Sequence, residues 1–187
     1  MATDRRTALA DAAIGVLADT GMRGLTHRAV DRAANLPTGT TSAYYRTRQA
    51  LLTALVQRLV ALDQAELQAI GNDIPPPRDE EELAAGIAAL VERRLTGDGR
   101  QRSLARYACA IESVHHTELR EILVPRENAA REAVRRFLAA RGLADAEAEE
   151  RTVTLLTCVD GLVFDRLVNG GSVPAHEIRG LVAAALR

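Results

Sequence analysis

Apolar residues return every three or four positions along this chain, and glycines and prolines cut the pattern into lengths suited to helices. Leu9, Ala12, Ala13, Val16 and Leu17 set the pattern, which lays one apolar stripe along a helix over about residues 4–19. Gly21, a favoured residue just past a helix end, stops it. Thr26 is an N-cap whose hydroxyl accepts from the free amides of the next turn, and it opens a second helix with Ala29, Val30, Ala33 and Ala34 on its inner face. Asn35-Leu36-Pro37 is a three-residue break. Pro37 suits the first turn of a short third helix ending at Tyr45. Thr47 caps a fourth helix from near Arg48 to about Ile70, striped by Leu51, Leu52, Leu55, Val56, Leu59 and Leu62.

Beyond the loop at Pro75-Pro76-Pro77 the pattern predicts five more helices. The fifth starts at Asp79, with acids at its positive end, and is ended by Gly97-Asp98-Gly99. The sixth runs over about 101–115, and the seventh over about 117–141 with Pro125 kinking or splitting it. The eighth covers about 145–168 and the ninth about 175–186. Ala, Leu, Arg and Glu dominate these stretches and aromatic residues are only 3%, so no large sheet is expected. The fold class is all-α, about nine helices: a three-helix head over residues 1–47 and a larger helical body over 48–187.

The charge is uneven. Residues 1–58 carry eight arginines against four aspartates, a net of +4 in a chain whose total is −1, so the remainder holds −5. No acid lies between Asp31 and Asp63. A basic head on an acidic body points to a polyanionic partner for the head. No run of eighteen apolar residues exists, and the polar start does not resemble a secretory signal, so a cytoplasmic protein with no membrane partner is expected. Cys109 and Cys158 are the only cysteines and have no metal-finger spacing; both read as small hydrophobes with reduced thiols. There is no GxGxxG, P-loop, HExxH or GxSxG, so no enzyme, no catalytic residue and no cofactor is expected.

Thr26 to Leu52 holds the residues that could meet DNA. The third helix, with Thr38, Gly39, Thr40, Thr41 and Ser42, is too small to bury much, and its hydroxyls suit base edges. Tyr44 and the cations Arg28, Arg46 and Arg48 suit phosphates on either side of a groove. The rival class is a helical protein-interaction module whose basic head binds a protein.

Over residues 5–55 the chain resembles the tetracycline-repressor (TetR) family of bacterial regulators. The resemblance is carried by Ala12-Ala13, Leu17, Gly21, Leu25-Thr26, Ala33-Ala34, Leu36, Gly39-Thr40, an aromatic pair, then a cap, a cation and Ala50-Leu51-Leu52. It implies that helices two and three form a helix-turn-helix with helix three in the major groove, and that Arg48 meets a phosphate where the family usually has lysine. The family often reads Gly-Thr-Leu-Tyr-Tyr-His-Phe, and here Ser42 replaces its phosphate-binding tyrosine. Tyr44 takes the histidine position and becomes the phosphate contact; Tyr45 takes the core phenylalanine position. The resemblance further implies a repressor that binds a two-fold double-stranded operator as a homodimer and releases it on binding a small-molecule effector.

The dimer interface would use helices eight and nine. Leu155, Leu156, Val159, Leu162, Val163 and Leu167, with Ile178, Leu181, Val182 and Leu186, offer more apolar surface than one body easily hides. The effector pocket would lie among helices four to eight and suit a modest, largely apolar molecule. Tyr107, His115 and Asp160 are its candidate polar contacts, since each sits on an apolar helix and needs a partner: one another, water or a ligand. Glu112, His115 and His116 share one helix face, but no second cluster completes a metal site, so they read as a solvated helix end and no metal is expected.

Overall fold

The computed structural model describes residues 4–73, 76–123 and 129–187. Among the described residues ten helices follow one another: α1 (Arg5–Gly24), α2 (His27–Ala33), α3 (Thr40–Tyr44), α4 (Arg48–Asp73), α5 (Glu80–Leu95), α6 (Gly97–Ser113), α7 (Thr117–Leu123), α8 (Ala129–Ala139), α9 (Asp145–Asn169) and α10 (Ala175–Leu186). No strand occurs among the described residues. The fold is the expected all-α one, with one helix more. The stretch expected as a helix over 117–141, kinked or split at Pro125, is α7 and α8; Pro125 itself lies outside the described residues, as does Pro75 of the expected loop. Gly97 and Gly99 belong to the start of α6, because α5 already stops at Leu95.

The chain packs as two compact units, Met1–Asp63 with Gln101–Pro125, and Gln64–Arg100 with Arg126–Arg187. In the first, Leu9 and Leu17 of α1, Leu25, Val30 of α2, and Leu51, Leu52, Leu55, Val56 and Leu59 of α4 are buried in one core with Cys109 of α6 and Leu119 of α7. Each such aliphatic side chain contributes ~1.5–3 kcal/mol on leaving water. Arg58 of α4 forks onto the Asp11 carboxylate of α1, Nε to Oδ1 at 2.6 Å and Nη2 to Oδ2 at 3.1 Å. Arg106 of α6 pairs with Asp63 of α4. The expected stop at Gly21 is a kink: its φ of 69° breaks the helical path, a conformation open to glycine at little cost, and helical structure resumes to Gly24.

In the second unit α5 packs on α9 and α10, and α8 packs on α9. Asp79 caps α5 by accepting from the Glu82 amide at 2.8 Å. Leu83, Ile87 and Val91 of α5, Leu155, Val159, Val163 and Leu167 of α9, and Ile178 and Val182 of α10 are all buried. Six of the ten residues expected to be left over for a second copy are thus buried within the chain, where α5, α8 and α10 pack on α9 and α5 on α10. The outward face of α9 is a different one, carrying Val153, Thr157, Cys158, Gly161, Phe164 and Val168, all exposed.

Candidate nucleic-acid interface

Thr26 caps α2 as its residue type predicts: the Ala29 amide donates to its hydroxyl oxygen at 3.2 Å. Val30 is fully buried, but Ala33 is exposed, against the expectation that it lines the inner face. The reason is the shortness of α2, which ends at Ala33 and leaves the next inward place to the half-buried Ala34 and Leu36. Residues 34–39 then form a longer connection than the three-residue turn expected, with Asn35 at φ 53°. Pro37 lies before α3 instead of in its first turn. Its carbonyl accepts from the Thr40 amide at 3.1 Å and the Thr40 hydroxyl at 2.6 Å. Gly39 is the N-cap of α3, at φ 94°, where a side chain would be strained.

The unforeseen member of this arrangement is Asp31. It is 2% exposed, and its carboxylate accepts from the Gly39 amide (2.8 Å), the Thr41 amide (2.7 Å) and the Thr41 hydroxyl (2.6 Å). Burial alone would push the Asp31 carboxyl up. The Thr41 and Gly39 donors and the nearby His27 outweigh it, and the group titrates below the ordinary carboxylate value. At the other end of α3 the His27 Nε2 donates to the Tyr45 carbonyl at 2.7 Å; a carbonyl has no proton, so that nitrogen carries it. Tyr45 is buried, as its core reading requires, and its hydroxyl donates to the Arg6 carbonyl at 3.1 Å. Burial raises its phenol above the ordinary value.

With Thr41 and Tyr45 turned inward, α3 and its approach show Thr38, Gly39, Ser42, Ala43 and Tyr44 to solvent, with Thr40 half-exposed. Arg28, Arg46 and Arg48 are exposed around them. Thr47 caps α4 by accepting from the Ala50 amide at 3.0 Å, and Arg48 then opens that helix. The Arg48 Nη2 donates to the Met22 carbonyl of α1. Sequence reasoning passed over Arg6, whose guanidinium stands 5.6 Å from the Tyr44 ring centroid and 5.9 Å from that of Tyr45.

The other candidates are divided between the two units. Tyr107 is half-buried on α6, and His115 is exposed two residues past the end of that helix, in the first unit. Asp160 is exposed on α9 in the second unit, 3.7 Å from Arg94 Nη1, a partner that lies too far along the chain for its spacing to reveal. His116 faces Glu112 at 3.5 Å and Glu118 at 3.7 Å; among the described residues no group of three or more side chains could hold a metal. Cys109 is buried, and burial pushes its thiol up to about 12. Cys158 is exposed, contrary to the reading of both as buried hydrophobes. No helix among the described residues is long and apolar enough to cross a membrane.

The family model "Tetracyclin repressor-like, C-terminal domain" matches residues 78–187, more than half of the chain. A member of the TetR family from Streptomyces coelicolor A3 has a solved structure 25% identical, with 99% of each chain covered and a TM-score of 0.73. The multidrug binding protein EbrR complexed with ethidium is 25% identical over 98% of this chain and 99% of that one, at a TM-score of 0.70. A transcriptional regulator from Rhodococcus sp. Rha1 shares the fold at 23% identity and a TM-score of 0.72, with 97% of this chain and 94% of that one covered. No curated protein sequence matches the chain. A helix-turn-helix head, an all-helical body and the match of that body to the family's C-terminal domain lead to one assignment: the chain belongs to the TetR family of DNA-binding transcriptional regulators.

Proposed function

We propose that this regulator is a repressor that binds a two-fold DNA operator as a homodimer, with α3 of each copy in a major groove, and lets go on binding a small molecule. The division of labour is a DNA-binding head over residues 1–47 and a ligand-binding and dimerisation body over 48–187. The observation that carries the reading is the outward face of α3: small, polar, bordered by exposed arginines. Thr38, Gly39, Thr40 and Ser42 would meet base edges. The Thr40 hydroxyl donates to Pro37, so its oxygen would meet a base as acceptor. Tyr44, Arg28, Arg46 and Arg48 would take phosphates, joined by Arg6. Two heads would read half-sites roughly 34–36 Å apart.

The second copy would sit on α9, where Val153, Gly161 and Val168 present a small, apolar outward face, with α10 beside it. The effector would bind the body. The likeness to EbrR, whose complexes hold ethidium and proflavin, supports a drug-like organic molecule. Tyr107 and His115 of the first unit, and separately Asp160 of the second with Arg94 beside it, remain the candidate polar contacts. A ligand shifts operator affinity only by its differential affinity for the two states of the body. The protein is proposed to work in the cytoplasm and to have no catalytic role.

Selection of duplexes from a random library tests the head, and titration of the selected duplex against salt tests its chemistry: affinity should fall steeply as salt rises. A chain that enriches no sequence would refute the reading. For the body, ligands should raise the melting temperature and release the duplex together. Stabilisation that never changes duplex affinity would leave the body a dimerisation platform only.

A further inference from the structure

We propose that His27 and Asp31 are a positioning pair for α3, two side chains on one face of α2 that grip both ends of the neighbouring helix and set the pose in which it meets DNA. This rests on the reading of α3 as the DNA-facing helix.

A helix of five residues cannot hold itself, since nucleation fixes more dihedral angles than so few hydrogen bonds repay. Its terminal amides and carbonyls also lack partners within the helix. Here α2 supplies partners for the Gly39 and Thr41 amides and for the carbonyl of the C-cap residue Tyr45. Residues four apart on a helix share a face, and His27 and Asp31 use that spacing to reach opposite ends of α3. Asp31 accepts from Gly39 and Thr41 at the positive end, where a negative charge is favoured. His27 donates to the Tyr45 carbonyl at the negative end. The Thr41 hydroxyl adds a third bond to the same carboxylate from a fully buried side chain.

The grip has a directional consequence. The Gly39 and Thr41 amides are both engaged by Asp31, so neither is free to take a DNA phosphate. The helix is left to present its side, with Thr38, Ser42 and Tyr44 outward. Three donors also fix the carboxylate in both tilt and rotation. An asparagine would offer one oxygen, and its amide nitrogen would face another donor.

The experiment uses the full-length chain, the duplex that the wild type selects from a random library, and a random-sequence duplex at the same salt. Binding is measured below the onset of each variant's thermal transition. Asp31→Asn and His27→Leu should weaken the selected duplex by about tenfold or more, the scale of a mismatched base pair, while the random duplex, held by phosphate contacts, changes by less than about twofold. His27→Gln, whose side-chain amide can place a donor near the same carbonyl, should recover most of the discrimination that His27→Leu loses. Should Asp31→Asn not fold, the His27 pair of variants decides alone. Variants that stay folded and discriminate like the wild type, or that lose both duplexes equally, would overturn the proposal. So would His27→Gln behaving as His27→Leu. A wild-type chain that selects no duplex would instead bring down the DNA-facing reading of α3, and the pair's role with it.

Discussion

Replacing Arg48 by alanine separates two things one guanidinium does. Arg48 begins α4, is exposed, and spends one N–H on the Met22 carbonyl. A guanidinium carries five N–H donors, so four remain for a phosphate. The tie to Met22 limits the orientations it must give up on binding. A phosphate contact contributes ~0.9 to the slope of log affinity against log salt, and two copies of the chain would contribute ~1.8. The slope of Arg48→Ala should therefore be flatter than the wild type's by about that amount. Over a fourfold rise in salt, the gap in affinity between wild type and variant should narrow about twelvefold, from the same slope. Fluorescence anisotropy with a labelled duplex at several salt concentrations reads both quantities. The loss should be the same for selected and random duplexes, because a phosphate contact carries no sequence information. If the affinity fell and the slope stayed that of the wild type, Arg48 would act only through Met22, and the phosphate assignment would be wrong.

Three further outcomes follow from packing and titration. Leu55→Ala empties a fully buried site in the first unit's core and should cost ~2–5 kcal/mol in urea unfolding; a loss under ~1 kcal/mol would mean that the core re-closes around it. The folded-state value of the Asp31 carboxyl lies below its ordinary one, so its share of stability is present above the unfolded value of about 3.9 and is lost as pH falls through the folded value. The stability gap between wild type and Asp31→Asn should then shrink between neutral pH and pH ~3, and a gap that widens in acid would reverse the sign. In a Cys158→Ser background, buried Cys109, with its thiol pushed up to about 12, should resist labelling at neutral pH until denaturant unfolds the chain; rapid labelling of the native protein would contradict its burial.

What could be read from sequence depended on how far each interaction reaches. Thr26 and Thr47 are legible as caps because their partners, Ala29 and Ala50, lie three residues on. The stripe of α4 is legible because a buried face repeats with the helix. Asp31 looks like an ordinary surface charge, since its partners are eight and ten residues away and across a turn whose shape rests on Asn35 and Gly39. The outward face of α9 was misassigned because that helix is apolar on more than one side; the placement of α5, α8 and α10 against it decides which side is left. Asp160 found Arg94 across sixty-six positions, which no local pattern encodes.

The core beneath the head has a consequence for how such regulators can be recombined. Leu9, Leu17, Leu25 and Val30 share one buried cluster with Leu55 and Leu59 of α4, Ala105 and Cys109 of α6, and Leu119 and Leu123 of α7. A gene fragment ending near residue 47 would thus encode a recognition surface without the floor it stands on. Exchanging heads between relatives to rewire which promoter answers which compound would need α4 through Asp63 and the head-facing sides of α6 and α7 to travel with the head, or to be redesigned to match it. The recognition surface and its foundation are inherited from separate stretches of chain, so operator preference and core packing must drift together.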